Sequence, residues 1–142
     1  MKEMCRDENC PFRFFSPDPL EYDKEILPLE KTHPEDHYES LTSLCDRAAD
    51  FLEAVIEPLA AEVPMDTQVL ISGHGALNRA LLMHMRGEHD MAAFWGTGLQ
   101  ANCGICIAEV VPDLQGTVQY KIAEESRIYY DPELLRNLKS LL

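Results

Sequence analysis

Between residues 41 and 59 the apolar side chains Leu41, Leu44, Cys45, Ala48, Leu52, Val55, Ile56 and Leu59 recur at intervals of three and four. Asp46, Arg47, Asp50, Glu53 and Glu57 fill the positions between them. This period predicts an amphipathic helix that starts at Glu39 or Ser40, with Ser40 as its N-cap. Pro58 lacks a backbone donor and should kink the helix or end it before Val63. Residues 69–72, Val-Leu-Ile-Ser, form a short continuous apolar run between turn residues, which predicts a buried strand. Helical spacing returns at Leu77, Ala80, Leu81 and Met85, and Gly87 stands where that helix should stop. An amphipathic helix feeding a buried strand and then a second helix predicts an α/β fold with a mainly parallel sheet flanked by helices.

The remainder is less regular. Residues 90–95 read as a short helix ended by Gly96 and Gly98, residues 103–111 as a strand, and residues 112–116 as the turn of a hairpin. Residues 117–122 alternate, with Val118, Tyr120 and Ile122 on one face, and residues 127–130 read as a short strand after a polar turn. Asp131 or Pro132 opens a final helix with Leu134, Leu135, Leu138 and Leu141 on one side. Before residue 30 the prolines Pro11, Pro17, Pro19 and Pro28 interrupt an aromatic cluster of Phe12, Phe14, Phe15 and Tyr22. The prediction is an irregular, cap-like segment over residues 1–38, with a turn of helix at 19–23, inside a single domain spanning residues 1–142.

Composition narrows the partners. With 12 Lys and Arg against 25 Asp and Glu, the net charge of −13 disfavours nucleic acid and anionic membrane surfaces, which demand basic patches. No apolar run reaches membrane-spanning length and the first ten residues are charged, so the expectation is a cytoplasmic chain without a secretory signal. Its five cysteines are then reduced thiols. Cys5, Cys10, Cys103 and Cys106 could supply four thiolates, but the spacing of the first pair is loose. A strand would turn Cys103 and Cys106 to opposite faces, so core packing is the better reading and no metal or cofactor is expected. His33 and His37 have ligand spacing only if helical, and Pro34 disfavours helix at His33.

His74 stands between Gly73 and Gly75 at the junction of the predicted strand and helix. A helix start carries unpaired N–H groups and the positive end of the macrodipole, so an anion is favoured there. A phosphate would meet the imidazole of His74 and the backbone N–H groups of Gly75 and Ala76. The alternative is that His74 only satisfies the turn by hydrogen bonding, with the glycines serving the backbone angles.

Read with its flanks, this unit resembles the histidine phosphatase superfamily, the phosphoglycerate-mutase-like proteins. Ser72-Gly73-His74-Gly75 is similar to the family's second histidine motif, normally Ser-His-Gly. Glu39-Ser40 looks like its Gly-Glu-Ser helix start, with Tyr38 where glycine is usual. Phe94-Trp95, and Asn102 followed by a strand ending in Glu109-Val110, are similar to the segment beyond the second histidine. Met1-Lys2-Glu3-Met4 is similar to the stretch whose glutamate donates and accepts the proton. The resemblance spans nearly the whole chain but corresponds to the carboxyl-terminal two-thirds of the family.

The resemblance implies phosphomonoester hydrolysis or phosphoryl transfer through a phosphohistidine. His74 matches the second histidine of the phosphate pocket, and Glu3 the acid that protonates the leaving oxygen. The attacking histidine of the family lies in an Arg-His-Gly motif closing its first strand, and no such tripeptide occurs among these 142 residues. The implied domain is therefore truncated, lacks its first strand and is nearly inactive by itself, as a pseudoenzyme would be. Such a chain would associate with a second copy through an unpaired sheet edge. Its partners would be a small phosphomonoester or inorganic phosphate. The acidic residues Asp18, Glu21, Asp23 and Glu25 would disfavour highly charged polyphosphates. Two other readings stand beside this one: a non-catalytic domain binding a phosphorylated ligand or a protein, and a longer product that carries the missing tripeptide.

Overall fold

A computed structural model describes residues 16–96, 100–101, 103–113, 117–131 and 133. It combines helices with a β-hairpin. The first helix, α1 (Pro19–Thr32), occupies much of the stretch expected to be irregular. Its prolines do not oppose it in the way the sequence suggested. Pro19 lies at the helix start, where a missing N–H leaves nothing unpaired, and Asp18 caps it by accepting from the Leu20 and Glu21 N–H groups at 3.0 Å. Pro28 lies within the helix. The buried face of α1 runs through Pro19, Asp23 and Ile26, at spacings of four and three. One of those positions is a carboxylate, so a search for apolar periodicity passes over it.

The predicted amphipathic helix is present and starts at Ser40, whose hydroxyl oxygen accepts the Ser43 N–H at 3.0 Å. It runs as α2 (Leu41–Phe51), a π-helical turn (Leu52–Ile56) and α3 (Glu57–Glu62). The helix ends at Glu62, before Val63 as expected, with Pro58 accommodated in the first turn of α3. The wider turn lies immediately before α3, where Glu57 N–H reaches back to Leu52 C=O, and it absorbs the proline's missing donor. Leu41, Leu44, Ala48, Leu52 and Ile56 are buried, while Val55, expected on the same face, is exposed. The last buried step, from Leu52 to Ile56, crosses the π turn, which rotates Val55 outward.

Helix α4 (Gly75–Met85) packs on α2, and Ala80, Leu81 and Met83 join the α2 residues and Phe94 in the core. Its end is the one expected. Gly87, at φ +65°, bonds to His84 C=O at 2.9 Å while Glu88 N–H bonds to Met83 C=O at 2.9 Å, the paired closure of a Schellman motif. Residues 91–93 make a 3-10 turn capped by Asp90 in place of the longer helix anticipated there.

The strands β1 (Ile105–Pro112) and β2 (Val118–Arg127) pair antiparallel, with Val110 opposite Tyr120 and Glu109 opposite Lys121. The core side carries Val118, Tyr120 and Ile122, as their alternation predicted. β2 runs through the residues read as a polar turn and stops where a separate strand was expected at 127–130. Its glutamates face solvent or ion-pair partners, so their polarity did not end the strand.

Two expectations differ more. Among the described residues the sheet has two strands and is antiparallel. Residues 69–72 are irregular, with no strand neighbour among the described residues, and Leu70 is 94 % exposed. A strand exists only where its N–H and C=O groups find a partner chain, and β1 spends one of its edges on β2. The apolar run therefore has strand-like sequence without a sheet to enter. Among the described residues no helix is long and apolar enough to cross a membrane. The predicted final helix, except Asp131 and Glu133, lies outside the described residues, as does the amino-terminal aromatic cluster apart from Tyr22.

Candidate functional site

His74 is the N-cap of α4, with extended backbone at φ −98° and ψ 162°. Its carbonyl accepts the Asn78 N–H at 2.9 Å, while its side chain makes no capping bond and is exposed. Among the described residues no hydrogen bond of the imidazole supports the reading in which it only satisfies the turn. The N–H groups of Gly75, Ala76 and Leu77 form the first turn of α4, and helix geometry gives them no acceptor within the helix. An anion placed against them gains from the macrodipole as well as from hydrogen bonds, and the imidazole stands on the adjoining residue.

The turn before His74 is held by side chains that sequence spacing did not single out. Asn78 Nδ2 donates to Gln100 Oε1 at 2.9 Å and lies 3.4 Å from the Gly73 carbonyl. Arg79, the arginine nearest His74 along α4, is turned to other partners: Nε donates to Phe94 C=O at 2.6 Å, and Nη2 donates to Ala93 C=O and Glu88 at 3.3 and 3.0 Å. It anchors the loop over residues 93–96. The detectable signal for both was polarity at half-buried positions of an otherwise apolar helix.

Other predicted positions lie elsewhere. Glu3, Cys5, Cys10 and Asn102 are outside the described residues. Cys103 is exposed, at φ +56° in the turn before β1 and outside the strand assigned to it. Cys106 is half-buried in β1, its sulfur accepting the Ser126 N–H at 3.2 Å. Cys45 packs beside Met91, and burial pushes its thiol pKa up. Among the described residues no group of His, Cys, Asp and Glu side chains is arranged to hold a metal ion. His33 and His37 are exposed around a 3-10 turn, and His84 lies edge-on to Tyr120 with Glu53 at 3.8 Å.

Three of the four acidic residues expected to repel polyphosphates have other duties, while Glu25 is exposed. Asp18 caps α1, Glu21 pairs with Lys24, and Asp23 is buried against the start of α2. A shallow cleft lined by Met85, Arg86, Tyr120, Ile122 and Glu125 opens at the far end of α4, where Arg86 pairs with Glu125. An eleven-residue helix puts that cleft about 16 Å from His74, so this cleft and the candidate phosphate contact do not coincide.

The profile of the histidine phosphatase superfamily (branch 1) matches residues 16–122, a span that includes α1, both parts of the long helix, His74 and β1. The chain belongs to the histidine phosphatase superfamily. Glu3 precedes the matched span, so membership of the family does not bear on it. No curated protein and no solved structure gives a significant match.

Proposed function

We propose that this histidine phosphatase superfamily domain binds the phosphate of a small phosphomonoester, or inorganic phosphate, at the amino end of α4. His74 would be the pocket histidine, and the N–H groups of Gly75 and Ala76 would complete the cradle. The observation that carries this reading is His74 itself. It lies inside the family match as the N-cap of an eleven-residue helix, with an exposed imidazole that takes no part in capping. Glu3 is the acid in this proposal, by its resemblance to the family's proton donor.

The chemistry of the family passes a phosphoryl group through a histidine of an Arg-His-Gly motif, and the 142 residues contain none. None of His33, His37, His84 and His89 precedes a glycine. In comparable covalent enzymes the loss of the nucleophile costs on the order of 10⁴ to 10⁶ in rate. The chain by itself is thus proposed to bind without turning over, as a pseudoenzyme or as part of a longer product. The exposed apolar run at 69–72 favours the same reading: it would become a strand of a parallel sheet once a neighbouring strand is supplied, and a second copy of the chain is one source. The charge of −13 and the exposed thiol of Cys103 suit a cytoplasmic setting without nucleic acid or membrane partners.

Titration of the histidine-labelled chain with phosphate or vanadate, followed by NMR, tests the proposal. Saturable movement of the His74 ring resonances together with the Gly75 and Ala76 amides is the expected result. Resonances that stay fixed while the rest of the spectrum is folded would overturn it.

A further inference from the structure

His74 owes its place to contacts that it does not make itself. Its side chain leaves the helix start uncapped, so the turn before α4 must be held by something else. Two amide side chains do this. From inside α4, Asn78 donates through Nδ2 to Gln100 Oε1 at 2.9 Å, with Gly73 C=O at 3.4 Å, while its own N–H bonds to His74 C=O at 2.9 Å. Gln100 in turn donates through Nε2 to Gly104 C=O. Gly104 N–H bonds to Ala101 C=O at 2.8 Å, and Ala101 N–H bonds to Ser126 Oγ at 2.8 Å. Hydrogen bonds thus run from the Gly73 carbonyl, through the Asn78 and Gln100 amides, to the base of the hairpin.

Gly73 is part of the same device. A Cβ at this position would lie 2.5 Å from Asn78 Oδ1, closer than real Cβ contacts allow, whereas the next nearest side chain, Leu77, would be at 3.5 Å. A side chain in place of Gly73 would have to displace the Asn78 amide from its place beside the backbone. The backbone there is not in the left-handed region, so the restriction comes from the amide rather than from φ.

We propose that Asn78 and Gln100 are positioning residues for His74: their amide pair fixes the backbone at Gly73 and His74, and with it the direction in which the imidazole leaves the chain beside the N–H groups of Gly75 and Ala76. The part of this that concerns phosphate rests on the reading of His74 given above; the brace on the turn does not. A bound anion needs imidazole and amides together, and a turn free to swing must be ordered at each binding event, which weakens affinity.

The experiment uses the whole chain with labelled histidine and backbone, as wild type and as Asn78→Ala, Gln100→Ala, Gly73→Ala and the double variant Gly73→Ala with Asn78→Ala. Phosphate affinity at His74 and the shifts and hydrogen exchange of the amides from 73 to 76 are read together. Each single variant is expected to weaken phosphate binding about tenfold, the size of one lost hydrogen bond of this kind, and to move the same amides. The double variant is expected to be no weaker than Asn78→Ala, because the clash at Gly73 disappears with the amide that causes it. Additive losses from Gly73→Ala and Asn78→Ala would overturn the proposal. So would an Asn78→Ala chain that keeps wild-type affinity and amide shifts. If the wild type shows no phosphate shift at His74, the phosphate reading fails on its own; the brace is then decided by whether the amides from 73 to 76 change in Asn78→Ala and Gln100→Ala. Should Asn78→Ala unfold, Gln100→Ala, at the far side of the pair, carries the same decision.

Discussion

Asp23 is a carboxylate with 7 % of its surface exposed, set against the first residues of another helix. It accepts the Leu41 N–H at 2.6 Å, the Thr42 N–H at 2.9 Å and the Thr42 hydroxyl at 2.5 Å, so a negative charge from α1 meets the positive end of α2. Glu30, seven residues along α1, accepts from the Ser40 and Ser43 hydroxyls at 3.2 and 3.0 Å. Asp23→Ala leaves buried donors without an acceptor and should destabilise the chain by about 2–4 kcal/mol in urea denaturation. A loss below about 0.5 kcal/mol would be that of a surface substitution and would contradict this role. Tyr120 makes the pH-dependent counterpart. Burial, and then the Glu57 carboxylate that its hydroxyl meets at 3.1 Å, hold the phenol above its usual range. Unfolded tyrosine ionises near a pH of about 10, so this contribution is complete below that value and is lost as the pH rises above it towards the folded value. Tyr120→Phe should lower neutral-pH stability by about 1 kcal/mol and flatten the alkaline fall of the urea midpoint. The remaining slope would include Tyr22, whose pKa is also raised, chiefly by burial. An unchanged slope would contradict the assignment.

At the scale of elements, what the sequence disclosed depended on whether an element is held by its own pattern or by partners. The long helix could be read because Ser40 caps it and Leu41, Leu44, Ala48 and Leu52 mark one face. Helix α4 could be read because Gly87 closes it in the left-handed conformation. The hairpin was legible from Val118, Tyr120 and Ile122, although its length was not, because Glu124 and Glu125 look like turn residues until Arg127 and Arg86 are seen to pair with them. Helix α1 was foreseen only as a turn at 19–23, because its anchor is the polar Asp23, and the strand expected at 69–72 was misread since strand formation depends on a neighbour that no local pattern encodes. In the candidate site the same division holds. His74 and its glycines announce a helix start, whereas the tie between Asn78 and Gln100 spans 22 residues and has no periodic signature. The contact of α2 with α4 offers a test at this scale. Ala48 and Ala80 are both excluded from solvent, so Ala48→Leu should overpack the interface and lower stability by about 1–3 kcal/mol, measured by thermal or urea unfolding. A neutral result would mean that the two helices are not in close contact there.

For the molecule as a whole, two features pull in opposite directions. The net charge of −13 keeps copies apart, while the apolar run at 69–72 and the exposed Ile105, Ile107 and Val111 of β1 favour burial against another chain. Salt screens the first and spares the second, so light scattering should give a mass above the monomer that rises with protein and salt concentration. A monomer mass at high concentration and high salt would contradict association through these surfaces. The central proposal is that the chain holds phosphate at His74 without the group that attacks it. Hydrolysis of a generic aryl phosphate by the purified 142-residue chain, beside His74→Ala, tests this most directly. The account predicts turnover at the background rate in both proteins. Turnover that is present in the wild type and vanishes with His74 would contradict it, because His74 would then be the nucleophile or would serve one.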